Sequence, residues 1–277
     1  MQNKIFPGIA LSPRLTKFGP VMFSGNLGEG LSTVNAVGFK YVELSLRSTN
    51  DIDPDELNNT LERLNLKITA IATGQVCLFD QLCLGSENEQ LRKKAVEHFK
   101  AITLLAKKIK SGAVIIGGIR GRLAGSESEY QRNFDNGVEA IRECAKWTEA
   151  NGIPLLIEPI NRYETNWIFT AADGRDLIER IGVNTVKLLL DTFHMNIEES
   201  NIVDAVTKTG DQLGYVHFAD NTRHAPGQGQ TDFKHILSAL EKIGYSGPVV
   251  AEVLPLPDDK TAVLNTAKFW KNMDIPL

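Results

Sequence analysis

The chain has 277 residues, 42% of them hydrophobic and 23% charged, an ordinary globular composition with enough length for a large core. Its 30 basic and 34 acidic residues give a formal charge of −4 with no basic stripe, which excludes nucleic acid and other polyanions as partners. No stretch approaches the roughly 20 apolar residues of a membrane helix. Met1–Pro7 lacks the apolar run of a secretory leader, so a cytoplasmic protein is expected. Cys77, Cys83 and Cys144 form no CxxC pair, and so sparse and odd a set reads as reduced thiols.

In chain order, short apolar runs alternate with longer amphipathic stretches. The runs are Phe6–Leu11, Tyr41–Leu46, Ile68–Ala72, Ala113–Ile116, Pro154–Ile157, Val186–Leu190, Gly214–Phe218 and Pro248–Val253. Most are rich in Val, Ile and Leu, as strands buried on both faces should be. Between them, Gln90–Lys110 and Asn133–Ala150 carry apolar residues every three or four positions and read as helices. Eight strands with helices between them imply a parallel sheet, and about 35 residues per unit matches a closed barrel. An open doubly wound sheet would place a Gly-rich phosphate loop after its first strand, whereas Leu11 is followed by Ser12-Pro13-Arg14. No linker or low-complexity tract divides the chain. The expected fold is α/β, a single (β/α)8 TIM barrel forming one domain over residues 1–277.

Four of the runs lead into metal-binding side chains: Glu158, Asp191, His217 and Glu252. The gaps are 33 (191−158), 26 (217−191) and 35 (252−217) residues, one β-α unit each time. In a barrel the C-terminal strand ends converge on one mouth, where such enzymes carry their chemistry. One such residue at a strand end is usually only a loop residue, but four in succession point at a common volume. Three carboxylates gathered there would repel one another and resist ionisation unless a cation joined them. Three oxygens and one imidazole suit Mn²⁺ first, with Mg²⁺ or Co²⁺ as alternatives. The turn Pro226-Gly227-Gln228-Gly229 resembles a phosphate cradle only weakly, and aiming the preceding Arg223 is its expected role. His98 and His235, on helical stretches, read as solvated or packed. Trp147 and Trp270 read as packing, and Trp167 is balanced between packing and lining the pocket.

IEPINRYET, LLLDTFHMNIEE, YVHFADNTRHAPGQG and VVAEVLPLP resemble the strand-end motifs of the xylose-isomerase-like sugar epimerases and isomerases. Within these the chain is similar to the D-tagatose 3-epimerase family, and nearest to its 5-keto-L-gluconate epimerase type. The likeness reaches Gly74-Gln75 and Ile119-Arg120-Gly121-Arg122 in the N-terminal half. It implies that Glu158, Asp191, His217 and Glu252 bind the metal and that Glu158 and Glu252 double as acid and base. It further implies that Glu164, His194, Arg223, Gln75 and Arg120 contact substrate. His224 stands where that epimerase type carries an aromatic, and Gln228 and Gln230 also depart from its pattern.

The chemistry agrees. A hydrogen beside a ketone is too weakly acidic to leave unaided at neutral pH. A Lewis acid that stabilises a cis-enediolate, with carboxylates on opposite faces, removes the proton from one side and returns it from the other. Return to the neighbouring carbon would instead isomerise an aldose and a ketose. The expected substrate is a six-carbon keto-uronate, 5-keto-L-gluconate interconverting with D-tagaturonate. Arg120, Arg122 and Arg162 follow strands four and five and would take the carboxylate bidentately. In the competing view these arginines pair with acids such as Glu127 or Asp173. The alternative functions are a D-tagatose 3-epimerase-like ketohexose epimerase, a hydroxypyruvate-type isomerase, and, in another class, a non-catalytic sugar-binding barrel. An endonuclease barrel would need more histidines than five and a basic surface. The expected partner is a small sugar or sugar acid, with a homo-oligomer left open.

Overall fold

Each apolar run extends and pairs in parallel with the next, because an amphipathic helix carries the chain back between them. The computed structural model describes residues 5–16 and 19–277; Met1–Lys4, part of the segment read for a leader, lie outside that range. The strands are β1 (Ile5–Leu11), β2 (Tyr41–Ser45), β3 (Lys67–Ala72), β4 (Val114–Ile116), β5 (Leu155–Ile157), β6 (Val186–Asp191), β7 (Leu213–Phe218) and β8 (Gly247–Ala251). They pair in sequence order, and β8 pairs back onto β1, closing the eight-stranded parallel barrel that the alternation predicts. No helix among the described residues is long and apolar enough to cross a membrane.

The outer helices are α1 (Leu27–Val37), α2 (Pro54–Leu64), α4 (Glu89–Lys108), α5 (Glu127–Asn151), α6 (Ala171–Ile181), α8 (Ile202–Thr209), α9 (Phe233–Lys242) and α10 (Asp259–Asn272). Two short helices, α3 (Gly74–Asp80) and α7 (Thr192–Glu198), follow β3 and β6 directly and stand at the barrel mouth. Helix α5 begins six residues before the apolar periodicity of Asn133–Ala150. Its first turns are polar, and a reciprocal capping box between Ser126 and Glu129 starts it instead.

Two apolar clusters hold the molecule together. The larger lies between strands and helices and includes Leu44, Phe99, Ile141, Leu188, Phe218 and Trp270. The smaller fills the barrel interior with Ala10, Ala70, Ile115, Leu156, Leu189, Tyr215 and Val250 among its members. Strand side chains alternate faces with a period of two. Residues two places beyond Leu156, Leu189, Tyr215 and Val250 therefore share their inward face. Those residues are Glu158, Asp191, His217 and Glu252. The apolar layer is thus the floor on which the polar layer stands.

One expectation fails. Cys77 and Cys83 are joined in a disulfide, and only Cys144 is a free, buried thiol. Helix α3 ends on Gln81, whose left-handed backbone (φ 57) turns the chain back and brings the two Cα atoms to 4.8 Å. A six-residue spacing carries no sign of such a reversal.

Candidate active site

At the mouth, ligand atoms from Glu158, Asp191, His217 and Glu252 lie within 4.8 Å of one another, and all four residues are buried. His217 Nδ1 is the hub, 3.4 Å from Glu158 Oε1 and 3.7 Å from both Asp191 Oδ2 and Glu252 Oε2. It is buried and makes no good hydrogen bond. Asp191 and His217 are register partners across β6 and β7, which fixes their separation through the backbone. Asp191 also caps α7, accepting from Phe193 N at 2.8 Å. Gly117 makes room for Glu158, since a Cβ there would collide with Glu158 Oε2.

The charges are strongly coupled. Burial pushes the Glu252 carboxyl up to about 8, against the pull of Arg223 and His217. Burial also opposes ionisation of Asp191, but Arg223, His194 and His217 outweigh it and hold that carboxyl well below the usual range. His217 is driven the other way: burial disfavours its charge, yet Glu43 and Glu252 raise it well above an ordinary histidine. Arg223 donates to Asp191 Oδ2 at 2.5 Å and also to Glu252 Oε2, with its guanidinium 4.6 Å from the centre of the Phe193 ring.

A cavity of about 390 Å³ opens on this cluster, and Glu158, Glu164, His194, Arg223 and Glu252 line it. Burial lowers the His194 pKa, so the ring is neutral near pH 7. Asn161 Nδ2 lies 2.7 Å from His194 Nδ1 and 2.8 Å from Glu164 Oε1. Since an amide nitrogen only donates, Nδ1 accepts and Nε2 carries the proton. Asn161 sits inside the IEPINRYET motif but had no role assigned from sequence.

Gln75 and Arg120 do not line this cavity. Gln75 Nε2 donates to Ser45 Oγ at 2.9 Å and to Ser12 Oγ at 3.1 Å. Arg120 is fully buried; it donates to the backbone oxygens of Glu158 and Ile168 and stacks on Trp167, and burial lowers its pKa to about 10. Arg162 is held by Glu198 through Nε and Nη2, so its partner is neither Glu127 nor Asp173. Neither Arg120 nor Arg122 forms an ion pair among the described residues, but Arg120 is spent on buried carbonyls, whereas Arg122 is exposed and its Nη1 donates only to Tyr163 O at 3.4 Å. Arg122 lines an adjoining cavity that shares Gly74, Leu78, Gly117, Gly118, Ile160 and Glu164 with the first.

The remaining aromatic and histidine side chains have plain structural roles. Trp167 is buried, donates to Gly121 O at 3.0 Å and lies behind the wall. His98 Nε2 bonds Arg47 O, His235 pairs with Asp232 at the surface, and His224 Nδ1 bonds Thr222 Oγ1.

The PGQG turn is occupied from within. The buried Asp220 carboxylate accepts from Gly227 N (3.0 Å), Gly229 N (2.7 Å), Thr231 N (3.0 Å) and Asn221 N (2.9 Å), which leaves no cradle for a phosphate. The same loop carries Arg223 in the left-handed region (φ 62), aimed into the cluster.

One residue of the site escaped the sequence altogether. Glu43, in the middle of β2, accepts from His217 Nε2 at 2.8 Å. It lies inside the apolar run Tyr41–Leu46, where nothing local ties it to a histidine 174 residues later. The signal it did leave was that β2 belongs to a barrel buried on both faces.

The family described as xylose isomerase-like TIM barrel matches residues 31–273. The chain belongs to this family. A D-psicose 3-epimerase from Enterocloster bolteae is 31% identical over 252 residues, covering 88% of this chain and 81% of that one. A 3-dehydro-D-guloside 4-epimerase from Escherichia coli is 27% identical, covering 84% and 92%. In fold, a D-allulose 3-epimerase from Methylomonas sp. superposes with a TM-score of 0.84 at 24% identity, covering 98% of each chain. The relatives are named epimerases, and this chain is accordingly a carbohydrate epimerase, of the isomerase class.

Proposed function

We propose that the chain epimerises a ketose at the carbon beside its carbonyl, with Glu158, Asp191, His217 and Glu252 holding a divalent cation. One observation carries this reading: of the four clustered residues, Glu158 and Glu252 line the cavity, while Asp191 and His217 stand behind it. Two carboxylates that both hold the ion and face the substrate are what removal and return of one proton require. The donor set of three carboxylates and an imidazole with an unpartnered Nδ1 fits a hard-to-borderline divalent ion, Mn²⁺ first and Mg²⁺ or Co²⁺ next. Such an ion, when bound, would polarise the substrate carbonyl and acidify the neighbouring C–H. Arg223 adds fixed positive charge where negative charge develops. His194, its Nε2 proton set by Asn161, and Glu164 hold sugar oxygens. Gln75 and Arg120 act one step back, through Ser45 and the Glu158 backbone.

For the substrate itself we infer a keto-uronate such as 5-keto-L-gluconate or D-tagaturonate. The support is Arg122, a guanidinium lining the adjoining cavity with no acidic partner among the described residues, able to take a carboxylate in two parallel bonds. Arg120 and Arg162 no longer contribute to that argument, since backbone carbonyls and Glu198 occupy them. The names of the relatives favour a neutral ketohexose as the second reading. Catalytic efficiencies for the keto-uronates, D-tagatose and D-fructose separate the two. Arg122→Gln should lower kcat/KM about tenfold or more for the uronates and leave the neutral sugars nearly unchanged. Neutral sugars turned over as well by the wild type would establish the ketohexose role. Run in D₂O, epimerisation places deuterium at the inverted carbon, whereas isomerisation places it at the adjacent one.

A further inference from the structure

Glu43 is fully buried in the barrel interior, 174 residues before His217, on the strand across the ring from it. Its register partners are Ala10 on β1 and Ala70 on β3, so two small side chains flank it and leave its path across the barrel open. The Glu43 carboxylate Oε2 lies 2.8 Å from His217 Nε2. The ring nitrogen donates and the carboxylate oxygen accepts, which assigns the proton between them to Nε2. In the neutral ring, Nδ1 is then left with its lone pair. Nδ1 is the unpartnered atom that faces Glu158, Asp191 and Glu252.

We propose that Glu43 is the positioning residue of the metal centre, fixing the tautomer and ring plane of His217 so that Nδ1 is presented to the ion. The inference rests on the metal-centre reading above and adds to it a residue that touches neither ion nor substrate. The reach across the ring distinguishes it from a packing residue: a side chain serving only to fill the floor would be apolar, as Leu156, Leu189 and Val250 are. Partners of this kind commonly account for 10- to 100-fold in metal affinity.

The test measures Mn²⁺ affinity by competition with a fluorescent chelator, in wild type, Glu43→Gln and Glu43→Ala, with circular dichroism confirming each fold. Glu43→Gln keeps the size and an acceptor oxygen but loses the charge, and should weaken Mn²⁺ binding about tenfold; Glu43→Ala should weaken it up to about 100-fold. Activity should return towards wild type as Mn²⁺ is raised. Nitrogen NMR of the Mg²⁺-loaded wild type should show His217 protonated at Nε2. Mn²⁺ affinity within twofold of wild type in folded Glu43→Gln, or a His217 ring protonated at Nδ1, overturns the inference while leaving the metal centre standing. A wild type that binds no Mn²⁺ removes both. Should Glu43→Ala fail to fold, Glu43→Gln and the wild-type NMR decide.

Discussion

Glu158 and Glu252 each have two duties, as oxygen donors to the proposed ion and as the proton carriers on the cavity wall. An amide in place of either keeps the shape and one oxygen but can take no proton. With Mn²⁺ held at saturation, Glu158→Gln and Glu252→Gln should each lose about 10²- to 10⁴-fold in turnover. Exchange of substrate hydrogen with D₂O should outlast inversion in one of them, because a single working carboxylate still removes and returns a proton on its own face. Most of the turnover surviving in either variant with metal bound would rule out the two-carboxylate mechanism. His194 and Asn161 show how a neutral pair sets direction without charge: the amide nitrogen fixes which imidazole nitrogen donates.

At the scale of elements, the loop after β7 is organised by one buried acid. Asp220 gathers four backbone N–H groups, and Gly229 packs so closely on it that a Cβ would collide with Oδ1. That closed turn holds Arg223 in a left-handed conformation that an arginine does not favour. Asp220→Ala should therefore cost at least about 2 kcal/mol, read as a lower Tm. It should also reduce kcat/KM, as Arg223 leaves its place beside Asp191 and Glu252. Wild-type kcat/KM in this variant would show that the loop does not aim the arginine. The strands and the four clustered residues were legible because they obey simple rules: β-branched and leucine-rich runs at unit spacing, and an acid or histidine at the end of four successive runs. What the sequence hid depends on contacts distant along the chain. Glu43 faces inward only because the barrel closes, Arg120 turns away from the cavity because Glu158 and Ile168 offer it carbonyls, and Cys83 meets Cys77 because Gln81 reverses the chain. The early start of α5 was hidden for a local reason, since its cap is built from polar residues that periodicity ignores.

For the whole molecule, the cluster couples stability to pH and to the ion. In the metal-free protein Glu252 is raised to about 8, so the folded state holds a proton that the unfolded chain releases near pH 4 to 5. His217 is raised as well, so its contribution is complete below the ordinary histidine range and is lost as pH rises through its folded pKa. Asp191 is lowered, and its contribution is lost only in acid, as pH falls through its folded pKa. Between about pH 6.5 and 8 the first two act in the same direction. The Tm of chelator-treated protein should fall as pH rises across that window, and saturating Mn²⁺ should flatten or reverse the trend, since bound ion replaces the protons. A metal-free Tm that climbs with pH would contradict this assignment of charges. Closure of the ring matters in another way. Strand β1 is bonded on both sides, to β2 and to β8, so a chain shortened through Leu11 would bare two strand edges at once. Each would be a row of unsatisfied N–H and C=O groups ready to add a strand from another molecule. Until β8 has been synthesised and docked, the nascent barrel carries the same liability, and self-association competes with folding up to that last step.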